Sequence, residues 1–191
     1  STWGYRMRVE ITEEDGNAQT DYQVPITIDT KTIEYDKTLA GGADIRFATA
    51  DEMTPLNYYI ESWNDAGEST IWVETDLAAS STTTLFMYYG KDGASSESLT
   101  EGSMFEYVDR GNEGASWSIV GNSGQDNSNG NPAPSYYSDS ENGNYMYRNI
   151  GLDSGTLMTF NIWSNGLGNM FYLVDSSGSG QHYRSDTRGG T

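Results

Sequence analysis

The chain has 191 residues with 28 Asp or Glu against 10 Lys or Arg, a formal charge of −18, so it lacks the basic footprint that a nucleic acid or an anionic membrane requires. Hydrophobic residues make up 35% and aromatic residues 13%, including 14 Tyr and 5 Trp, enough to build a core and to exclude an acidic disordered tail. Cysteine is absent and His182 is the single histidine, which removes disulfides, thiolate metal sites and histidine clusters from consideration.

From the amino end, Tyr5 to Ile11 reads as a first strand. Tyr22, Val24, Ile26 and Ile28 then alternate with polar residues, placing one apolar row on one face of a half-buried strand. Further strands are expected at 44–48, 58–63, 70–73 and 83–89, punctuated by Gly, Asn, Asp and Pro. No sustained helical period appears, and no apolar run approaches the roughly 20 residues of a membrane span. A β-sandwich follows for this part.

Residues 90–98, small and polar without periodicity, read as a linker, dividing the chain into 1–98 and 99–191. The second part repeats the same grammar at 117–120, 145–148, 156–163, 170–174 and 181–185. Between Gly121 and Asn144 runs a stretch of Gly, Asn, Ser, Asp and Pro, expected to be a functional or a disordered loop. The predicted fold class is all-β, two consecutive antiparallel β-sandwich units of jelly-roll type.

Only three of the ten basic residues are lysines, and carboxylates are spread along the whole chain. Molar salt shrinks the range of charge repulsion to about 3 Å, so this composition suits a halophilic or marine protein as well as an ordinary acidic secreted one.

Several residue groups carry candidate chemistry. Glu61 near Trp63, with Asp44 and Glu74 on neighbouring strands, could form the carboxylate pair of a glycoside hydrolase, which needs two carboxyls about 5 to 9.5 Å apart. The preferred alternative pairs Glu61 with Arg46 as a structural ion pair. His182, with Ser179, Ser185 and Asp186 close by, lacks the G-x-S-x-G elbow of a hydrolytic triad and reads as an ordinary strand residue.

Asp126, Asn127, Asn129 and Asn131 offer oxygen ligands around Gly130, so calcium is the natural cofactor candidate, as it is for Glu13-Glu14-Asp15-Gly16-Asn17. Both runs are also ordinary turn formers. Tyr136, Tyr137, Tyr147, Tyr172 and Asn169 are the candidate sugar ligands, because rings stack on pyranose faces while amides answer hydroxyls. Trp72 and Trp163, embedded in apolar runs, are assigned to the core.

The ordered words Trp3-Gly4-Tyr5-Arg6, Asp21-Tyr22-Gln23-Val24, Asp44-Ile45-Arg46-Phe47, Tyr59-Ile60-Glu61-Ser62-Trp63, Ile71-Trp72-Val73 and Met87-Tyr88-Tyr89-Gly90 resemble domain of unknown function 2341 over about residues 3–98. Met146-Tyr147-Arg148 and Gly168-Asn169-Met170-Phe171 look like the concanavalin-like lectin or glucanase sandwich that often follows such modules. That resemblance implies a second sandwich cut short, whose open edge a neighbouring subunit or a second copy could complete by strand addition.

The resemblance implies a module in a large extracellular or cell-surface protein. The expected function is non-catalytic adhesion or glycan recognition, with a glycan or cell-surface polymer as partner and no direct membrane insertion. A structural subunit of a virion tail fibre, appendage or extracellular filament is the first alternative, and a polysaccharide-degrading enzyme the second.

Overall fold

A computed structural model describes residues 2–105, 108, 118–121, 123–126, 128, 135–138, 145–147, 169–174 and 180–185. The chain divides into two compact units, 1–108 and 109–191.

The first unit is built from seven strands: β1 (Tyr5–Thr12), β2 (Gln19–Ile28), β3 (Arg46–Thr49), β4 (Pro55–Leu56), β5 (Tyr58–Ser62), β6 (Ser69–Leu77) and β7 (Thr82–Tyr89). They form a four-stranded sheet in the order β1-β7-β3-β4 and a three-stranded sheet in the order β2-β6-β5, with every pairing antiparallel. A short α-helix, α1 (Glu101–Met104), follows.

Period-two alternation explains which face of each strand is buried. On β6, Ser69, Ile71, Val73, Thr75 and Leu77 are buried while the residues between them are not. On β7 the buried row is Leu85, Met87 and Tyr89, and on β2 it ends in Ile26 and Ile28. These rows meet Phe47 from β3 and Tyr58 from β5 in one core, which Ile33, Tyr35 and Ile45 close from the connecting segments. Each fully buried side chain of this size contributes about 1.5 to 3 kcal/mol.

Buried polar groups are matched. The Tyr35 hydroxyl lies 2.8 Å from Ser69 Oγ and donates to Ile28 O at 3.2 Å. Tyr58 donates to Ile45 O at 2.7 Å.

Several strand expectations shift. Asp44 and Ile45 belong to the turn before β3, because the Asp44 carboxylate organises backbone amides there. Strand β6 extends well past Val73 to Leu77, since Thr75 is buried in register with Tyr22. Trp72 is not a core residue: it sits between inward Ile71 and Val73 and therefore faces outward. The segment 90–98 is held by the first unit, with Ser98 Oγ accepting from Ile60 N at 2.9 Å, and Leu99 N donating to Tyr58 O at 2.8 Å.

In the second unit the described strands form three antiparallel pairs. β8 (Ser118–Val120) pairs with β11 (Tyr145–Tyr147), β9 (Ser123–Asp126) with β10 (Ser135–Ser138), and β12 (Asn169–Val174) with β13 (Gly180–Ser185). The stretch expected to be a loop thus contains β9 and β10; its small polar residues concealed the pairing, since they carry no apolar alternation. The strand expected at 156–163, with Trp163, lies outside the described residues.

Candidate functional site

The outward face of the three-stranded sheet gathers the richest side-chain group among the described residues. Strand register places Tyr59 of β5 and Pro25 of β2 opposite Trp72 of β6, and Gln23 opposite Glu74. Phe105, just past α1, makes T-shaped contacts with both neighbours: 4.9 Å and 86° to Trp72, 6.2 Å and 89° to Tyr59. These T-shaped contacts favour the ring quadrupoles beyond simple area burial.

Polar groups surround the rings. Trp72 Nε1 donates to Glu61 Oε2 at 2.8 Å. Glu74 accepts from Asn57 Nδ2 at 3.0 Å and from Gln23 Nε2 at 3.4 Å. Tyr59, Glu61, Trp72, Glu74 and Gln23 are all partly exposed. The register shifts between Ile60 and Ser62, and Glu61, two residues from outward-facing Tyr59, shares the face of the Trp72 indole. Aromatic faces rimmed by amides and carboxylates suit a hydroxylated, partly apolar ligand.

Of the three candidate carboxylates, Asp44 is set apart from the other two. Asp44 is fully buried and accepts from Leu39 N at 2.7 Å, Gly90 N at 2.6 Å and Lys91 N at 3.1 Å, whereas Glu61 and Glu74 lie on the outer sheet face. Arg46 is not the ion-pair partner of Glu61. It pairs with Glu97 at 2.8 Å and donates to Ser95 O at 2.7 Å, binding the 95–97 segment to the sandwich.

The first oxygen-rich turn has a structural occupation. Glu13 is 6% exposed and accepts from Asp15 N at 2.7 Å, Gly16 N at 3.0 Å and Ser80 N at 2.6 Å. The Ser80 amide, with help from the Asp15 and Gly16 amides and against the opposing effect of burial, holds this carboxyl below its ordinary pKa.

The aromatic sugar candidates fall on three different strand pairs. Tyr136 and Tyr137 are in β10, opposite Gln125 and Gly124; Tyr147 is in β11, opposite Ser118. Asn169 and Tyr172 are in β12, with Tyr172 opposite His182. No described pairing joins β10, β11 and β12. Asp126 ends β9 opposite Ser135, while Asn127, Asn129 and Asn131 lie outside the described residues. Among the residues described, no helix is long and apolar enough to cross a membrane.

The group around Trp72 and Phe105 was not assembled by sequence reasoning. Phe105 follows the expected boundary, and nothing local shows that it returns onto β5 and β6. The available signal was Ile71-Trp72-Val73, where period two puts Trp72 opposite its apolar neighbours.

Residues 41–120 match a family described as Domain of unknown function (DUF2341). The span starts later than the resemblance over 3–98 and runs further, from the turn before β3 through β8. No curated protein and no solved structure matches the chain.

Proposed function

We propose that the chain is a non-catalytic module of a larger extracellular or surface protein and that it recognises a glycan through the outer face of the β2-β6-β5 sheet. The carrying observation is the partly exposed group of Trp72, Tyr59 and Phe105, rimmed by Glu61, Glu74, Asn57 and Gln23. A binding role is also supported by the architectural use of Asp44 and Glu13, whose oxygens hold backbone amides. In this reading the second unit is a lectin-like sandwich in which Tyr136, Tyr137, Tyr147, Tyr172 and Asn169 extend recognition, with calcium at Asp126 as its candidate cofactor.

The test is electrophoretic retardation in gels containing neutral and acidic polysaccharides, followed by a glycan array. Tyr59→Ala and Trp72→Ala should each abolish retardation that the parent chain shows, while circular dichroism stays that of the parent. A parent chain that no polysaccharide retards, or variants retarded like the parent, would overturn the assignment. The reading of the chain as a structural subunit is favoured by a separate feature, the β1 edge, beside which no described strand lies.

A further inference from the structure

The first sandwich has four sheet edges, and three of them are protected against pairing with another strand. β2 carries Pro25 in its middle and a register irregularity between Gln19 and Tyr22, with Asp21 at φ +50°; proline removes a donor and a bulge twists the edge away. β4 is two residues long and begins with Pro55. β5 is bulged, and the chain at Ser98 and Leu99 takes up Ile60 N and Tyr58 O.

β1 has none of these devices. It runs eight residues in unbroken register with β7, from Tyr5 opposite Tyr89 to Thr12 opposite Thr82. It contains no proline, and no described strand lies on its other side. Met7, Val9 and Ile11 on its inner face are only partly buried, so the apolar layer is incompletely covered along this edge. A regular edge with no described strand beside it is a template for strand addition.

We propose that the β1 edge is a self-association surface and that its occupant is β1 of a second copy, paired antiparallel about Val9. Charge selects both partner and register. Continuity of the inner faces restricts the registers to those that set even-spaced residues of one copy opposite those of the other. Pairing about Arg8 would set Arg8 against Arg8 at its centre, beside two Arg6–Glu10 pairs, and pairing about Glu10 would set Glu10 against Glu10. Pairing about Met7 would set Arg6 against Arg8.

Pairing about Val9 sets Arg8 of each copy opposite Glu10 of the other, with Met7 opposite Ile11 and Val9 opposite Val9 on the inner face. Opposite charges directly across a strand pair stabilise it and like charges destabilise it. Arg8 and Glu10 already neutralise each other along the strand at 2.5 Å, with side chains 60% and 52% exposed and accessible to a partner. With two arginines and one glutamate, β1 is also a weakly positive stretch on a chain of charge −18. Two copies can meet there with the least repulsion.

Light scattering of the full chain in about 0.5 M salt, where long-range repulsion between the acidic bodies is screened, tests the proposal. The parent should show twice the chain mass. Arg8→Glu and Glu10→Arg, each placing like charges across the interface, should weaken the dissociation constant by about tenfold or more. An equimolar mixture of the two variants should regain the dimer mass, because each then supplies the charge the other needs. That mixture also controls for folding, since two misfolded variants could not restore it. A parent that stays monomeric, a single variant that dimerises like the parent, or a mixture that stays monomeric would each overturn the assignment.

Discussion

Removing the Asp44 carboxylate should be among the most damaging single changes available in the first sandwich. Its side chain is fully buried and joins three segments: the turn at Leu39, the start of β3, and the end of β7 at Gly90 and Lys91. Asp44→Ala leaves three backbone N–H groups without their acceptor at a part-buried site. Each such orphan costs about 1 to 3 kcal/mol, so a total of about 3 to 5 kcal/mol is expected after partial relaxation. Against a whole-domain stability of about 5 to 15 kcal/mol, that is a large fraction.

For a unit of this size about 1 kcal/mol shifts the midpoint by roughly 4 to 8 °C, so Asp44→Ala should lower it by at least about 12 °C. Asp44→Asn, which retains one oxygen, should lose about half as much. Thermal unfolding followed by circular dichroism, with Asp92→Ala in an exposed turn as control, gives the comparison. A midpoint for Asp44→Ala within about 3 °C of the parent would show that the three amides find other partners and would refute the reasoning.

Glu13 predicts an acid effect. Its folded-state pKa lies below the unfolded value, so its stabilisation is present above the unfolded pKa and is lost as pH falls through the folded one. Glu13→Gln should flatten the decline of stability below about pH 4.5, and an unchanged acid limb in urea titrations would count against it. Gly42 and Gly41 form a matched pair, both at positive φ. A Cβ at Gly42 would meet the Trp63 ring at 2.6 Å, whereas one at Gly41 meets nothing within 4 Å. Gly41→Ala should therefore cost about 1 to 2 kcal/mol of backbone strain, and Gly42→Ala clearly more; equal losses in chemical denaturation would sink that distinction. The excess of 28 acids over 10 bases predicts a higher unfolding midpoint in molar salt than in dilute buffer, and calorimetry showing the same midpoint in both would remove the halophilic reading.

Much of the first sandwich was legible in the sequence because its strands are amphipathic. The alternation of Tyr22, Val24, Ile26 and Ile28, and the strands ending in Ile11 and Tyr89, follow from a side-chain period of two that any half-buried strand must show. Where that signal is missing, local reading fails. β9 and β10 consist largely of small, polar or uniformly aromatic residues, so no apolar alternation marks them, although they pair with each other nearby in the chain. The same limit applied to chemistry. Glu61, Asp44 and Arg46 looked like one constellation because their strands are close in the chain, yet the fold sends Asp44 inward to backbone amides and Arg46 to Glu97.

Composition and periodicity alone determined that this is an acidic, all-β chain whose apolar rows must be buried face to face, since burial and strand pitch are properties of each segment by itself. Only the tertiary structure decided that Phe105 returns onto Trp72 and Tyr59, that Glu13 and Asp44 serve the backbone, and that β1 ends its sheet among the described strands. Each of those depends on contacts between residues dozens of positions apart, which three-dimensional packing fixes and local pattern does not encode.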